Sequence, residues 1–400
     1  MQKKIFLFTE TFPFRGGEPF LETEILFLAK TFSQVQIFSL NSNESKLVLP
    51  SNVNVAFIPE SARISFSKFL IQNLSVYFHW FFSEIIKSPK RWNYIKNFKQ
   101  QLYRLTGLIK KANDLNGFIK SDINEFSRFY SYWFNDWGTI LSILRFKNKK
   151  INFVTRVHLF DFEEEFHSSN FIPFRYTEIS KPKQIIPISN YATQYLLKKY
   201  IISCPSNYLG VIYNGNNEIN NNGKLTIVSC SSLSWYKRPL LLVQLMSKIK
   251  LNIKWVHFGD GDMKNEFLEY SKKLPSNIEF IFKGFVPNSD IIEFYKTNSV
   301  NVVLNVSSIE GIPVSLMEAI SFGIPIIGCN VCGMPEIINE QTGILLDKDF
   351  EIEKAAIKIS EFLIQKSLNI EYRKKVKEFW FKNFNADVNY PNFIKNHLVN

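Results

Sequence analysis

Cysteine and histidine are scarce in this chain of 400 residues, which holds four Cys and five His. Cys204, Cys230, Cys329 and Cys332 are too few and too scattered for a disulfide framework, and they point to a reducing cytoplasm. Cys329 and Cys332 make the one CxxC spacing, but no second pair and no neighbouring His completes a zinc site, so no metal is expected. Long apolar runs are missing too. The most apolar stretch, Phe66 to Ile86, is broken by Lys68, Gln72, Asn73, His79 and Glu84, which argues against a membrane-spanning helix. After Lys3 and Lys4 the apolar run stops at Thr9-Glu10, too short for an export signal, and reads instead as a first buried strand. Acidic residues are outnumbered, 36 against 48 Lys and Arg, which leaves a net charge of +12.

What is present suits a folded protein with two cores: 46% hydrophobic and 21% charged residues over a length that two domains can share. The positive charge is uneven. From Arg63 to Lys111 ten basic residues face only Glu84, and they alternate with aromatics such as Phe66, Tyr77, Trp80, Phe82, Trp92 and Tyr103. This basic aromatic insertion, about 63–111, fits an interfacial helix on anionic lipid, with peripheral contact on the inner face of a cytoplasmic membrane. It fits equally a packed aromatic core under a solvated lysine face. No recognised nucleic-acid module accompanies it, so no nucleic acid partner is expected.

Strand and helix signals alternate along the whole chain. Lys4 to Thr9, Gln34 to Leu40, Asn54 to Ile58, Arg128 to Trp133, Asn152 to Val157 and Gln184 to Ile188 read as one series of strands. Leu225 to Ser229, Ile253 to Phe258, Ile278 to Phe282, Val300 to Val306 and Ile324 to Ile327 form a second, with helical periods such as Pro239 to Lys250 and Asp290 to Thr297 between them. Such alternation implies two parallel sheets with crossover helices, an α/β architecture whose ligands bind at the carboxyl ends of the strands. The boundary is expected between Pro205 and Lys224, where Asn214-Gly215-Asn216-Asn217 and Asn220-Asn221-Asn222-Gly223 are turn-rich. Gly259-Asp260-Gly261 lacks the third glycine of a dinucleotide fingerprint, since Lys264 stands in its place, and reads as a tight strand-to-helix turn.

The stretch from Asn305 to Ala319 carries the most chemistry. A buried strand runs into Ser307-Ser308-Ile309-Glu310-Gly311-Ile312-Pro313-Val314, and Pro313 in a first turn would start a helix near Ile312. Free backbone N–H groups at that terminus attract an anion, and Gly311 lets a diphosphate approach. Glu310 before the helix and Glu318 within it can each accept two O–H donors from a hydroxyl-rich ligand. Taken alone, the same residues also fit an ordinary surface helix with solvated glutamates.

Several segments occur in an order that resembles retaining GT-B glycosyltransferases. They are Ser229-Cys230-Ser231-Ser232-Leu233 with Lys237-Arg238, Phe258-Gly259-Asp260-Gly261, Lys283-Gly284-Phe285-Val286, the Ser307 to Ala319 stretch, and Gly333-Met334-Pro335-Glu336 with Gly343. The chain is similar to glycosyltransferase family four, which includes many capsule, exopolysaccharide and lipopolysaccharide sugar transferases. The resemblance is strong over Lys224 to Asp347. Before that it rests on Gly16-Gly17, on Thr155-Arg156-Val157-His158 with Asp161, and on Pro187-Ile188-Ser189.

The resemblance implies two Rossmann-like parallel-sheet domains facing a central cleft. Residues 1–208 would form an acceptor-binding domain, 209–375 a donor-binding domain, and 376–400 a terminal helix, begun by Phe379-Trp380-Phe381, that crosses back to the first. It implies that Glu310 contacts the donor sugar, Glu318 the ribose, and Lys237 the diphosphate of the leaving nucleotide. Gly16 and Gly17 would form the acceptor and phosphate loop, while His158 would sit beneath the reacting carbon in a positioning role. Ser231, Gly259, Gly311, Ile312, Pro313 and Val314 would line the donor, and Gly284, Phe285 and Val286 would wall the base. The implied reaction is metal-independent, retaining hexosyl transfer from a nucleotide sugar, UDP-linked, to a glycan or lipid-linked acceptor, with no cofactor. A sugar-nucleotide 2-epimerase of the same fold and a non-catalytic membrane or polyanion adaptor remain alternatives. Two departures stand out. Ser232 occupies the place of an arginine common in relatives, leaving Arg238 as the candidate second cation, and Cys332 replaces the glycine usual before Gly333.

Overall fold

The computed structural model describes residues 3–14, 18–41, 47–62, 65–167, 170–217 and 224–399. Two units follow from its contacts: residues 1–207 with 391–400, and residues 208–390. Each is built around one six-stranded parallel sheet.

In the first unit the strands are β1 (Lys4–Thr9), β2 (Gln34–Ser39), β3 (Val53–Ala56), β4 (Ser127–Ser131), β5 (Phe153–Val157) and β6 (Gln184–Pro187), in the order β3-β2-β1-β4-β5-β6. The central β1 is apolar on both faces, as a strand covered by helices on both sides must be. Phe6 and Phe8 stack with Phe38 and Phe129 from the flanking strands at centroid separations of 5.1 to 6.4 Å. Four helices, Phe66–Gln72, Leu74–Lys87, Arg91–Lys96 and Phe98–Ile119, come between β3 and β4. Their inward residues, among them Trp80, Tyr94, Leu105 and Ile109, join the same aromatic core.

The second unit repeats the plan with β7 (Leu225–Cys230), β8 (Ile253–Phe258), β9 (Ile278–Gly284), β10 (Val302–Asn305), β11 (Ile326–Cys329) and β12 (Gly343–Leu346), in the order β12-β11-β10-β7-β8-β9. Read outward from β7, this is the order of the first sheet. In each sheet the connections reverse direction beside the first strand, between β1 and β4 and between β7 and β10, and such a reversal opens a crevice at the carboxyl edge.

β12 has no counterpart among the expected strands, because four residues with one glycine carry almost no period. The glycine is what allows the pairing: a Cβ on Gly343 would lie 1.6 Å from the carbonyl oxygen of Ile326. Phe379-Trp380-Phe381 also falls differently from expectation. These residues lie within the helix Ile370–Asn383 of the second unit, where Trp380 is buried beside Tyr213. The chain joins the first unit only from Pro391. Within that unit Phe393 lies 3.7 Å from the guanidinium of the buried Arg156, which also bonds Tyr130 (2.8 Å) and faces Glu24 (3.5 Å).

Candidate active site

At the reversal point of the second sheet, the loops that leave β7 and β10 are stitched together. Ser308 donates both its N–H (2.7 Å) and its hydroxyl (3.1 Å) to the carbonyl of Tyr236. Tyr236 belongs to the single 3-10 turn Trp235–Lys237, which aims the ammonium of Lys237 at Glu310, where it donates to Oε2. The Ser307 hydroxyl donates to the same oxygen at 3.1 Å. Lys237 and Glu310 are each 15% exposed, so the ion pair has one side toward water and one toward protein. An ammonium has three N–H donors, and those not directed at Glu310 remain for other acceptors.

Beside the pair runs the helix Val314–Ser321. It starts two residues later than the sequence suggests. Pro313 is extended (ψ 129°) and caps the helix instead of forming its first turn, in keeping with the aversion of Ile312, as a residue before proline, to helical geometry. Leu316 and Met317 N–H fold back to the Pro313 carbonyl, so the amides of Val314 and Ser315 lead the helix. Their N–H groups open beside Gly311, a geometry of the kind that favours an anion. Gly333 closes against this loop, with its N–H directed to the Glu310 carbonyl at 3.3 Å. A Cβ there would lie 2.9 Å from the Gly311 oxygen. The preceding Cys332 adopts φ 44°, a left-handed conformation that suits a glycine better than a cysteine.

Glu318 sits one helical turn deeper and is 7% exposed. Its Oε1 accepts from Asn288 Nδ2 at 2.8 Å, and burial raises its carboxyl to about 7 against the lowering effect of that bond. The Cys230 thiol at the end of β7 is pushed up to about 12 by burial, with the Glu318 charge adding to the shift. Glu318 therefore faces the end of β7 on one side and the segment after β9 on the other. β9 ends on Gly284 (φ 65°), and the segment then opens with the exposed Phe285, followed by Val286. The β7 and β8 loops come equally close: a Cβ on Gly259 (φ 132°) would fall 1.9 Å from the Ser231 oxygen.

Arg238, the candidate second cation, is engaged within the protein. It is not helical but left-handed (φ 53°), and its guanidinium turns toward the sheet edge. There it donates to the carbonyls of Val306 (2.5 Å), Ser307 (3.3 Å) and Lys348 (2.7 Å) and to Cys329 Sγ (3.1 Å). Four partners commit it to holding the β10 loop in place. The CxxC sulfurs form no disulfide, and among the described residues no cluster of His, Cys, Asp and Glu could hold a metal ion.

Gly16 and Gly17 lie outside the described residues. Next to them Glu18 accepts the backbone N–H groups of Glu10 (3.1 Å), Thr11 (2.8 Å) and Phe12 (2.6 Å), together with the indole N–H of Trp133. The Trp133 ring is 4.2 Å from that of His158, which follows β5. His158 is 6% exposed, its Nε2 lies 3.1 Å from the Tyr132 carbonyl, and burial with the nearby Arg156 charge lowers it to about 3. It is a neutral imidazole that donates from Nε2, packed between aromatic rings, which suits positioning and not proton transfer. The neighbouring Asp161 accepts the His158 backbone N–H at 2.8 Å.

Asn288, Glu18 and Trp133 are the supporting residues that motif spacing does not disclose. Asn288 meets Glu318, and Trp133 meets Glu18, only through contacts made in three dimensions. Ser307 lies within the motif itself, three residues before the Glu310 it bonds.

Residues 215–379 match the family described as Glycosyl transferases group 1. An uncharacterized glycosyltransferase of Methanocaldococcus jannaschii is 28% identical over 162 residues, which is 35% of this chain and 41% of that protein. The chain thus spans less than half the length of this curated relative. Among solved structures, the apo form of the lipopolysaccharide outer core galactosyltransferase WaaB superposes with a TM-score of 0.68 at 16% identity, covering 99% of this chain and 100% of its own. Sucrose-phosphate synthase from Thermosynechococcus elongatus gives 0.70 at 14% identity, with 98% of each chain covered. HepE from Anabaena, solved with UDP-glucose, gives 0.63 at 13%, again with 98% of each covered. The chain therefore has the GT-B fold of glycosyltransferases, and its residues 215–379 are similar to the Glycosyl transferases group 1 family.

Proposed function

We propose that this protein is a retaining glycosyltransferase that moves a sugar from a nucleotide donor, UDP-linked, to a glycan or lipid-linked acceptor in surface polysaccharide synthesis. The observation that carries the reading is the largely buried Lys237–Glu310 pair at the reversal point of the second sheet, whose Glu310 lies in the loop that leads into the helix Val314–Ser321. As the bond from the sugar carbon to the diphosphate breaks, charge grows on the leaving oxygen. Lys237 and the helix terminus supply positive potential there before the reaction begins, and fixed charges need no reorganisation. Glu310, set by Ser307, accepts from hydroxyls of the donor sugar, and Glu318, set by Asn288, accepts from the ribose. The proton of the acceptor hydroxyl leaves with the diphosphate or to solvent. Transfer by this route requires no bound metal.

HepE, a neighbour of the same fold, was solved with UDP-glucose, which supports a UDP-linked donor. WaaB is by name a lipopolysaccharide galactosyltransferase, which supports a surface glycan acceptor. The test is incubation of the purified protein with a set of UDP-sugars and bacterial glycolipid acceptors, reading UDP release and the anomeric configuration of the product by NMR. Release that depends on acceptor, with the donor's configuration kept, is expected. Inverted product, or conversion of the donor to another UDP-sugar without acceptor, contradicts the reading.

A further inference from the structure

The helical insertion of the first unit is sorted in an unusual way. On Leu74–Lys87 the inward face carries Val76, Tyr77, Trp80 and a fully buried Glu84, whose carboxylate accepts from the Tyr94 hydroxyl (2.7 Å) and the Thr177 amide (2.5 Å). The outward face, at the helical spacing of four, carries Leu74, Phe78, Phe82 and Ile86, with Ile85 beside it. Phe78 and Phe82 are 65% and 53% exposed and stack on each other at 5.1 Å. Arg91–Lys96 repeats the arrangement, with Tyr94 inward and Trp92 and Ile95 outward. Phe98, half exposed, begins the next helix and packs against Phe81. Inward positions already have their core, so the outer rings are not residues waiting for one. Clustered exposed apolar side chains of this kind mark an interaction surface.

The cations around it divide in two. Lys90, Arg104 and Lys110 are paired with Glu164, Asp136 and Glu60. Among the described residues, no carboxylate lies in ion-pair range of Lys87, Arg91, Lys96 or Lys99. Lys96 and Lys99, with Asn97, Gln100 and Tyr103, line a shallow basin of about 360 Å³, where ammonium and phenol groups can meet a phosphodiester.

We infer that the outer face of Leu74–Lys87 and Arg91–Lys96 docks on a bilayer rich in anionic phospholipid, with Phe78, Phe82, Ile86 and Trp92 entering the headgroup boundary and Lys87, Arg91, Lys96 and Lys99 meeting lipid phosphates. Rings and isoleucines flanked by lysines are the composition of an interfacial surface. A protein partner fits less well, because lysine is depleted where proteins meet. A second copy would set unpaired lysines of the same sign against each other. This inference does not depend on the proposed sugar transfer.

The test is flotation of the full chain with vesicles of phosphatidylcholine alone and of phosphatidylcholine with phosphatidylglycerol. Binding to the anionic vesicles, weakened by salt, is expected. Phe78→Asp with Phe82→Asp should lower the partition coefficient roughly a hundredfold. Lys96→Glu with Lys99→Glu should lower it at least about tenfold on anionic vesicles and leave it unchanged on neutral ones. All four side chains are exposed, so the fold should survive, and an unchanged UDP titration and melting temperature would establish that. No binding to anionic vesicles, equal binding to both kinds, or binding indifferent to the ring substitutions overturns the inference. So does a concentration-dependent dimer that the ring substitutions dissolve. None of these outcomes touches UDP binding, so the proposed function stands or falls separately.

Discussion

Glu318 is held in the second unit by one hydrogen bond, from Asn288, and its carboxyl is raised to about 7. A raised acid favours the folded state below its unfolded value of 4.5, and that advantage is lost as pH rises through 7. Glu318→Gln removes the charge and keeps an acceptor for Asn288. It should leave stability at pH 5 nearly unchanged and raise it at pH 8 by about 1–3 kcal/mol, read by thermal unfolding, while weakening UDP binding. A residue whose removal stabilises the protein and costs it a ligand is one the fold retains for function. Lys237 and Glu310 behave differently because both reach water. Lys237→Ala should lower kcat by a factor on the order of 10²–10³ with little change in melting temperature, as the loss of a preorganised charge predicts. An unaltered kcat would remove Lys237 from the site.

At the scale of elements, the loops after β1 and β10 hold their residues by backbone contacts. Glu18→Ala strips an acceptor from the amides of Glu10, Thr11 and Phe12 and from the Trp133 indole. About 2–4 kcal/mol should be lost, measured by the urea midpoint, since buried donors left unpaired are costly. The loop before Gly333 offers the opposite case. Cys332→Gly should stabilise the second unit by about 0.5–1 kcal/mol, because φ 44° strains a side chain and not a glycine. Strands of these sheets were readable in the sequence where apolar residues predominate, as in β1 and β8, whose limits match the expected ones. β12 was not, being short and glycine-led. Nor was the pairing of β7 with β10, which depends on topology and not on any local pattern.

Legibility of the site follows the same division. Glu310 and Glu318 stood out as candidates because an acid, a glycine and a proline cluster at a strand-to-helix junction, whereas Lys237 entered only through the family resemblance, and the fold brings it to Glu310 across 73 residues. The role of Arg238 was not readable, since its left-handed backbone sends the guanidinium to carbonyls that no periodicity points to. In the insertion, composition announced lysines and rings together but not their sides. Only packing separates Trp80 and Tyr94, which are buried, from Phe78 and Trp92, which are exposed.

Over the whole molecule, buried titratable groups set the response to pH. Burial raises Asp161 to about 7 and Glu178 to about 8, alongside Glu318 at about 7, so each takes up charge only at a cost to the fold as pH rises. His158 at about 3 and His257 at about 4 act below 6.5, where the unfolded chain binds protons that the folded one refuses. Above pH 6.5 these histidines no longer titrate, while the three carboxyls still do so in opposition to folding. The melting temperature should therefore fall between pH 6.5 and 8.5, and less steeply in Glu318→Gln. A flat profile over that range would mean these carboxyls are not buried as described.

The central claim is that a nucleotide diphosphate binds at the carboxyl edge of the second sheet, between Lys237 and Glu318. Isothermal titration with UDP, on the native chain and on Lys237→Ala and Glu318→Ala, tests it most directly. The account predicts saturable binding by the native chain, weakened in both variants. Absence of UDP binding, or binding that both substitutions leave unchanged, would contradict it.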